Sequence, residues 1–360
     1  MHIGLVIYGN LDILSGGYLY DRKLVEYLKS QGDEVAVVGV PWRGYARNLL
    51  QNWSGSLKRQ IVDFPADVWL QDELVHPSLF ALNQRMKRSL KAPVVSIVHH
   101  LRTSESEHSA AALPFYRHVE RAYLRSADDF VYNSHTTRKV VETMLGGETR
   151  GVVATPGGNR LAGLTLAGVE KRCQMPGPLR LVFVGSLIPR KGLHTLVEGL
   201  SLLREENWVL DVVGRQDIDP DYTKDVKTQI RKYGMENRIR LHGSLPDAKL
   251  QQVLSRAQVF IVVSSYEGYG IVYLEGMNFG LPVIASTGGG AHEIVQDGKT
   301  GRLVKPGDVA GIAAAVQEYC RDRKLMRAHS LKARDAFNAF PTWQQSGKTI
   351  RDFLVEISAR

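Results

Sequence analysis

Cysteine is nearly absent from this chain, whose 360 residues include only Cys173 and Cys320, far apart and in no metal-ligand spacing. That scarcity excludes a disulfide scaffold and a cysteine-based zinc site, and it favours a reducing compartment. Long apolar runs are also lacking, since none approaches the ~20 residues that cross a bilayer. The strand-like run from His2 to Tyr8 carries neither a basic segment before it nor a small-residue cleavage site. We therefore expect a cytoplasmic protein without a membrane-spanning helix.

Acidic residues are in deficit, with 37 Asp and Glu against 46 Lys and Arg and a formal net charge of +9. Such a balance suits an anionic partner, which includes nucleic acid, a membrane surface and phosphorylated small molecules. A solvated basic surface with no partner explains it equally well. Hydrophobic residues make up 44% and charged residues 23%, as in an ordinary soluble globular protein.

Short β-branched runs alternate with longer amphipathic stretches throughout the chain, which predicts βαβ units and parallel sheets. Most runs are almost entirely apolar, as expected for strands that are covered on both faces. We expect an α/β protein with two Rossmann-like, doubly wound domains. The predicted strands are Ile3–Tyr8, Glu34–Val40, Val68–Leu70, Val94–His99 and Phe130–Tyr132, then Arg180–Val184, Val209–Val213, Ile239–Leu241, Val259–Val263 and Val283–Ala285.

Proline and glycine mark a boundary between the two series of strands. Pro156, Gly157 and Gly158 open a stretch that closes with Pro176, Gly177 and Pro178, and such punctuation predicts a linker. We therefore expect a first domain over residues 1–160, a linker over 161–178 and a second domain over 179–341. Pro341 interrupts the helical pattern before it, and we expect the last helix, within 342–360, to pack back on the first domain.

One segment of the second domain carries the sharpest functional signal: Glu267-Gly268-Tyr269-Gly270-Ile271-Val272-Tyr273-Leu274-Glu275. It lies between a predicted buried strand and a predicted helix, and open α/β sheets bind ligands at the carboxyl ends of their strands. Backbone N–H groups near Gly270, Ile271 and Val272 would lie at a helix N-terminus, where a phosphate binds well. The two glutamates fit hydrogen-bond acceptors for an elongated, hydroxyl-bearing ligand. The alternative is a surface glutamate plus a favourable charge at a helix start.

A basic loop follows the first strand of the same domain, with the sequence Gly185-Ser186-Leu187-Ile188-Pro189-Arg190-Lys191-Gly192. Gly185 allows a sharp turn at the strand end. Arg190 can grip phosphate oxygens with two N–H groups and Lys191 adds a compact positive charge, so a diphosphate is the favoured ligand. The alternative is a basic helix start, which the helix dipole disfavours.

The first domain offers weaker signals. Ser15-Gly16-Gly17 opens a helix after the first strand, but it is not the G-x-G-x-x-G pattern, so dinucleotide binding is not expected. His99 and His100 end a predicted strand, and His108 follows. Because no carboxylate or thiol other than Glu105 and Glu107 stands at helical ligand spacing around them, we expect no metal site here. A purely structural role for the glycines or for His99 remains the alternative.

These motifs together resemble the family 4 retaining glycosyltransferases of the GT-B fold, whose signature is two glutamates separated by seven residues in the context EG(F/Y)G-x-x-x-LE. The resemblance implies that Glu267 lies beside the donor sugar hydroxyls, that Glu275 holds the ribose, and that Arg190 and Lys191 stabilise the leaving diphosphate. It further implies that Gly16 and Gly17 approach the donor phosphate or the acceptor. By the same resemblance His99 reaches the donor sugar near its reacting carbon, although this chain has His100 where the family often has Asp.

Smaller matches extend the resemblance, which covers residues 180–345 well and residues 1–160 loosely. The segment His242-Gly243 with Leu245 and Pro246 resembles the family's loop near the nucleobase. Gly288-Gly289-Gly290 resembles a glycine-rich turn near the donor, and Pro156-Gly157-Gly158-Asn159 departs from the family pattern, so no role is carried over to it. The implied donor-binding set is Gly16, Gly17, Gly185, Ser186, Arg190, Lys191, His242, Gly243, Leu245, Glu267, Tyr269, Gly270, Ile271, Val272 and Glu275, with His99, Glu267, Arg190 and Lys191 as catalytic residues.

The resemblance implies an enzyme that transfers a hexose from a nucleoside-diphosphate sugar to a hydroxyl acceptor with retention of configuration, in polysaccharide or glycolipid assembly. We expect a UDP-sugar donor, with GDP- and ADP-sugars as alternatives, a saccharide or lipid-linked acceptor, no required cofactor or metal, and no nucleic-acid partner. Two other functions remain open: a nucleotide-sugar epimerase or hydrolase on the same fold, and a non-catalytic module that binds sugar nucleotides or nucleic acid.

A cationic and aromatic stretch of the first domain suggests a membrane partner. Residues 35–62 contain no acidic residue, and Trp42, Tyr45 and Trp53 are interleaved there with Arg43, Arg47, Lys58 and Arg59. Arg85, Lys87, Arg88 and Lys91 form a second basic cluster. Such residues suit an anionic lipid surface, so we expect peripheral association with the inner face of a membrane. The alternative is a solvated face whose aromatic residues line an acceptor pocket.

Overall fold

Two parallel six-stranded sheets organise the chain, which a computed structural model describes over residues 1–105 and 111–359. The chain divides into a first unit, Met1–Pro156 with Pro341–Arg360, and a second unit, Gly157–Phe340. Helices connect successive strands of each sheet, and the parallel strands read as near-continuous apolar runs because both of their faces are covered. In the part of the chain described, no helix is both long and apolar enough to cross a membrane.

The first unit orders its strands β2-β1-β3-β4-β5-β6, so the direction of winding reverses between β1 and β3. Strand β3 is buried along its whole length, including its polar residues Gln71 and Asp72. The elements of this unit up to the division are β1 His2–Tyr8, α1 Gly16–Ser30, β2 Glu34–Val40, α2 Tyr45–Leu49, α3 Gly55–Val62, β3 Val68–Asp72, α4 His76–Leu79, α5 Leu82–Met86, β4 Val94–Val98, α6 Leu113–Leu124, β5 Asp129–Tyr132, α7 His135–Leu145 and β6 Gly151–Val153.

The second unit orders its strands β12-β11-β10-β7-β8-β9, and here the reversal lies between β7 and β10. Its core is one apolar cluster built from both faces of the sheet. The elements are α8 Leu166–Cys173, β7 Leu179–Val184, α9 Leu193–Ser201, β8 Trp208–Val213, α10 Pro220–Lys232, β9 Ile239–Gly243, α11 Asp247–Arg256, β10 Val259–Val262, α12 Ile271–Asn278, β11 Val283–Ser286, β12 Gly301–Val304, α13 Val309–Arg321 and α14 Arg323–Phe337.

The last helix, α15 (Trp343–Ser358), belongs to the first unit. Thr342 and Gln345 form a reciprocal capping box that starts it after Pro341. Gly347 allows close packing on α1, because a Cβ there would lie 2.4 Å from the ring of Tyr27. Arg351, near the middle of the helix, forms a 2.6 Å ion pair with the buried Asp33.

The segment 161–178 differs from the linker expected from its sequence. It contains α8, whose Arg172 is buried and donates hydrogen bonds to the carbonyls of Phe279 (2.5 Å) and Gly280 (2.7 Å). The flanking proline and glycine residues therefore end a packed helix. Sequence analysis also missed strands β6 and β12, since each is a short edge strand of three or four residues without a long apolar run.

Candidate active site

The carboxyl ends of β7 and β10 lie side by side, at the point where the winding of the second sheet reverses. Doubly wound sheets bind ligands at such a point because the connections diverge and leave a crevice. The loop after β7 packs tightly on the end of β10, since a Cβ on Gly192 would lie 2.4 Å from the Val263 carbonyl oxygen. Gly192 has φ 70°, which favours glycine. The Ser265 amide donates to the Arg190 carbonyl (2.8 Å), so the two predicted motifs are brought together.

Two hydrogen-bond donors and a third polar side chain converge on one oxygen of Glu267. Lys191 Nζ lies 2.5 Å from Glu267 Oε1, the Ser264 hydroxyl donates to the same atom at 2.6 Å, and Arg190 Nη1 lies 3.5 Å away. The Glu267 side chain is only 10% exposed. Burial would raise the pKa of Glu267, but Lys191 and Arg190 outweigh it and lower this pKa to about 2. The carboxylate is therefore ionised at neutral pH and holds both cations at the strand end.

Lys191 is also largely buried, with a side chain that is 14% exposed. Burial lowers the pKa of its ammonium group, while the charge of Glu267 acts in the opposite direction. Buried cations of this kind are retained where they have a charged partner. Sequence analysis placed Lys191 and Glu267 in one site but did not predict that they form an ion pair.

Helix α12 begins at Gly270, which has φ 99° and whose Cβ would lie 2.4 Å from the Tyr273 ring. Glycine is therefore required at this turn. The first N–H groups of a helix have no partner inside the helix, and Ile271 and Val272 lie in that first turn. Tyr269, expected to bind donor, instead places its side chain in the hydrophobic core at 2% exposure. Its ring therefore serves packing, and only its backbone can line a ligand site.

Glu275 is buried one turn further along α12 and is paired with Arg160, whose Nε lies 2.7 Å from Glu275 Oε1. Arg160 also forms an ion pair with Asp247 at the start of α11. Arg160 follows the Pro156-Gly157-Gly158-Asn159 segment to which no role was assigned, and sequence analysis missed it. The contact joins residues 115 positions apart, so sequence spacing gave no signal for it.

Glycines end three adjacent strands of the second sheet, at Gly185, Gly214 and Gly243. A Cβ on Gly214 would lie 1.8 Å from the Gly185 carbonyl oxygen, and the Gly214 amide donates to the Gly243 carbonyl (2.9 Å). Because these three positions carry no side chains, the backbone at the carboxyl ends of the strands is open to contact with a ligand. His242 is held beside it by Asp211, 2.7 Å from its Nε2. Leu245 is partly buried against the core, and Ser186 continues the loop after β7.

In the first unit, the loop before α1 meets His99. Ser15 caps α1, and Gly16 and Gly17 open it. A Cβ on Gly17 would lie 3.0 Å from His99 Cδ2, so the glycine leaves room for the imidazole. His99 is buried, whereas His100 is partly exposed and lies 3.0 Å from Glu105. His108 lies outside the described residues.

Three buried carboxyl groups surround His99. The His99 Nε2 lies 3.2 Å from Asp21 Oδ1, and the His99 backbone N–H donates to Glu73 Oε2 at 2.9 Å. Asp72 lies close enough to Asp21 and Glu73 for the charges of the three groups to interact. Burial alone would lower the pKa of His99, but Asp21, Asp72 and Glu73 together raise it to about 10. Burial raises the pKa of Asp72 and of Glu73. Sequence analysis missed all three acids, although Asp72 and Glu73 stand at a strand end, where functional residues concentrate.

A cation could use part of this cluster, because ligand atoms of Asp21, Asp72 and His99 all lie within 4.8 Å of one another. The same arrangement also satisfies a protonated imidazole. Asp-x-Asp spacing occurs at Asp217 and Asp219, but Asp217 pairs with Arg215 and Asp219 caps α10. Metal-independent activity therefore stays a prediction.

We expect the imidazole of His99 to remain protonated from pH 6 to pH 8, and Asp21→Asn to bring its pKa down because the closest anion is removed. Because the pKa of His99 is raised in the folded protein, protonation of His99 stabilises the fold. This stabilisation is fully present below the unfolded pKa of about 6.5 and is lost as pH rises through the folded pKa of about 10. Side-chain NMR titration of His99 measures the shift, with Asp12→Asn on the exposed loop as the matched control. A wild-type midpoint near 6.5 would contradict the assignment.

Known proteins match both halves of the chain. The family model for group 1 glycosyl transferases matches residues 174–336, and the glycosyl transferase 4-like domain matches residues 13–158. Glycogen synthase of Mycobacterium tuberculosis is 29% identical over 78% of this chain and 66% of its own length. The GDP-mannose-dependent alpha-(1-6)-phosphatidylinositol monomannoside mannosyltransferase of the same organism is 30% identical over 52% of this chain and 50% of its own. The chain therefore spans 66% of the length of the glycogen synthase and 50% of the length of the mannosyltransferase.

The solved structure of Anabaena HepE in complex with UDP-glucose has the same fold, with a TM-score of 0.79 over 99% of this chain and 100% of that one, at 20% identity. The two parallel sheets agree with the GT-B architecture expected from the sequence. The strand order of the two sheets, the motifs at the reversal of the second sheet and the two family models all indicate one family. This chain belongs to the group 1 glycosyl transferases and has the GT-B fold.

Proposed function

We propose that this protein is a retaining hexosyltransferase that moves a sugar from a nucleoside-diphosphate donor to a hydroxyl of a saccharide or lipid-linked acceptor. The observation that carries the proposal is the convergence of Lys191, Arg190 and Ser264 on Glu267 at the reversal of the second sheet. This group places two cations, one ionised carboxylate and a helix N-terminus at one strand edge. A sugar nucleotide presents the complementary groups, which are a diphosphate and a set of hydroxyls.

The two cations serve the leaving group. When the bond between the anomeric carbon and the diphosphate breaks, negative charge develops on a phosphate oxygen. Lys191 and Arg190 are already fixed and partly desolvated, so they stabilise that charge without reorganising in the reaction. Helix α12 adds backbone N–H groups and the positive end of its dipole.

The two glutamates serve the two ends of the donor. Glu267 accepts hydrogen bonds from the transferred sugar, and Glu275 accepts them from the ribose. Arg160 holds Glu275 Oε1 and fixes the orientation of the carboxylate, so that Oε2 is the oxygen offered to the ribose. Asp247 holds Arg160 from the other side.

In the proposed retaining reaction Glu267 does not act as a covalent nucleophile. Its Oε1 already accepts hydrogen bonds from Lys191 and Ser264 and has Arg190 nearby, and a pKa of about 2 marks a weakly basic oxygen. A covalent glycosyl-enzyme at this residue is therefore disfavoured. In the proposed step the acceptor oxygen attacks the anomeric carbon on the face that the phosphate leaves. The bonding electrons go to the departing phosphate oxygen, which also receives the acceptor's proton.

A UDP-sugar is the proposed donor, supported by the UDP-glucose in the structure of HepE. The GDP-mannose-dependent relative makes GDP-sugars the first alternative, and ADP-sugars the second. In thermal-shift measurements a donor at 100 times its dissociation constant stabilises the protein by ~2.7 kcal/mol, which identifies the nucleotide for the experiments that follow.

Lys191→Ala is expected to lower kcat/KM for the donor about 10²–10³-fold, because one fixed charge on the leaving group is lost. Arg190 and Ser264 still accompany the buried carboxylate of Glu267, and a thermal melt of the variant checks that it remains folded. Lys227→Ala, on the exposed side of α10, is the matched control. Radiolabelled sugar transfer and donor hydrolysis without acceptor are measured together. Near-wild-type transfer by Lys191→Ala would contradict the assignment, and hydrolysis with no transfer to any acceptor would favour a hydrolase.

Glu275→Ala and Glu267→Ala are expected to separate nucleotide binding from sugar transfer. Loss of a hydrogen bond from a charged group, worth ~1.5–3 kcal/mol, should weaken UDP binding about 10–100-fold in Glu275→Ala. Glu267→Ala should impair sugar transfer to a greater extent than it impairs UDP binding. Calorimetry with UDP measures the first effect, with a change of the exposed Glu198 of α9 to Ala as the control. The reverse pattern would refute both roles.

We also propose that the first unit associates with an anionic membrane through a surface that we call the Trp53 face, formed by Leu50, Trp53, Arg59, Arg85 and Lys87. Leu50 and Trp53 are 70% and 62% exposed on one short helical turn. Arg85 donates to the Asn52 carbonyl (2.5 Å) and so joins the second basic cluster to this turn. Exposed apolar side chains ringed by cations are complementary to an anionic lipid surface.

Liposome co-sedimentation tests the Trp53 face. Vesicles of phosphatidylglycerol and phosphatidylcholine should bind the protein, less so at physiological than at low salt, because each cation near the surface contributes ~1 kcal/mol. Trp53→Ala and the double change Arg85→Glu with Lys87→Glu should each reduce the bound fraction. Trp42→Ala, which removes a tryptophan outside this face, is the control. Absence of binding at every salt concentration would remove the membrane proposal and leave the transferase proposal standing.

A further inference from the structure

A glycine-rich turn, Thr287-Gly288-Gly289-Gly290, follows β11 and lies against the segment that carries Glu267. The Glu267 N–H donates to the Gly288 carbonyl (2.9 Å), and the Gly290 N–H donates to the Glu267 carbonyl (2.8 Å). These two hydrogen bonds form a parallel bridge between Glu267 and Gly289. Both backbone polar groups of Glu267 are therefore fixed by the turn.

The approach of the turn to this segment leaves no room for side chains. A Cβ on Gly289 would lie 2.0 Å from the Glu267 carbonyl oxygen, and a Cβ on Gly290 would lie 2.4 Å from the Gly268 carbonyl oxygen. Gly289 also has φ 94° and ψ −140°, a conformation that residues other than glycine rarely adopt. A larger residue at Gly289 must therefore displace either Glu267 or the turn itself.

The turn is anchored to the ends of neighbouring strands. The Thr287 N–H donates to the carbonyl of Val304, the last residue of β12 (2.8 Å). The hydroxyl of Ser286, the last residue of β11, accepts from the Gly288 N–H (3.3 Å) and donates to the Ser264 carbonyl. The shape of the turn is therefore set by the fold of the second sheet.

The same two serines connect the turn to the side chain of Glu267. Ser264, whose carbonyl accepts from Ser286, donates its own hydroxyl to Glu267 Oε1 (2.6 Å). Both serines are buried, so these hydrogen bonds are shielded from water. The glycines thus hold the backbone of Glu267, while Ser264 and Lys191 hold its carboxylate. A displacement of the turn would change the position of that carboxylate.

The N–H groups of the turn are largely occupied by the protein. Those of Thr287, Gly288 and Gly290 already donate to Val304, Ser286 and Glu267. A loop that binds phosphate directly offers several backbone N–H groups to the ligand. The turn after β11 therefore suits the positioning of Glu267 better than direct contact with a donor.

We propose that Gly289, together with the glycines on either side of it, is a positioning residue for sugar transfer and acts by fixing Glu267. The inference rests on the proposed function for the role of Glu267. A carboxylate that accepts hydrogen bonds from the transferred sugar must be held in place, because a misplacement of about 1 Å can cost about 10²-fold in rate. The turn supplies that constraint through the backbone.

Gly289→Ala tests the proposal in the full chain. Its methyl group must displace Glu267 or the turn, so kcat/KM for the donor should fall about 10²-fold. UDP affinity, measured by calorimetry, should fall far less, because the proposed ribose contact is made by Glu275. Gly307→Ala is the matched control, since Gly307 also has a positive φ, 75°, but a Cβ there meets nothing within 4 Å. This control should transfer sugar as the wild type does.

A double-mutant cycle with Glu267→Ala separates positioning from stability, with a thermal melt of each variant to check folding. If Gly289 acts through Glu267, adding Gly289→Ala to Glu267→Ala should lower the residual transfer no further. Equal losses in the two backgrounds would overturn the proposal. A loss of UDP affinity as large as the loss of transfer would also overturn it, because it would indicate direct donor contact. Wild-type transfer by Glu267→Ala would instead remove the role that the proposed function gives to Glu267.

Ser286→Ala provides a second variant in case Gly289→Ala does not fold. It removes the hydroxyl between the turn and Ser264 and introduces no steric clash. Transfer should fall several-fold in the wild-type background and should not fall in Glu267→Ala. Ser330→Ala, which removes another buried serine hydroxyl of the second unit, is the matched control. Unchanged transfer in Ser286→Ala, or equal falls in both backgrounds, would contradict the positioning role.

Discussion

The ion pair between Lys191 and Glu267 is the interaction on which the site of the second unit depends. Each residue alone would be a costly buried charge, and together they are held 2.5 Å apart at the edge of the sheet. The pair joins two loops that leave adjacent strands, so it fixes Arg190, Ser264 and the start of α12 in one place. A diphosphate that binds there contacts cations that folding has already removed from water. That pre-organisation is what the proposed chemistry requires.

The two sheets collect polar side chains in the same way. In each, the strand order reverses beside the first strand of the sheet, and functional side chains collect at the carboxyl ends on either side. The second sheet gathers charge, with Arg190, Lys191 and Glu267. The first gathers three buried carboxyl groups, Asp21, Asp72 and Glu73, around His99. The proposed function uses the second of these edges for the charged part of a sugar nucleotide.

Local motifs were predictable from the sequence because they sit directly after apolar runs. Glu267, Arg190 and Lys191 follow buried strands, so their positions at a ligand-binding edge could be inferred before the structure. Arg160 and Asp21 could not be inferred, because each acts through a partner that is distant in sequence. Tyr269 matched a family motif but packs in the core, since a pattern of residue types does not fix which way a side chain points. The helix within 161–178 was missed because proline and glycine flank helices as well as linkers.

A crystal structure of the protein with bound UDP tests the central claim most directly. The account predicts a diphosphate within hydrogen-bond distance, about 3 Å, of Lys191 Nζ and of the Arg190 guanidinium, with the ribose hydroxyls on Glu275. The phosphates should also face the backbone N–H groups at the start of α12. A nucleotide bound elsewhere, with the Lys191–Glu267 pair and the Arg160–Glu275 pair both left without ligand contact, would contradict the account.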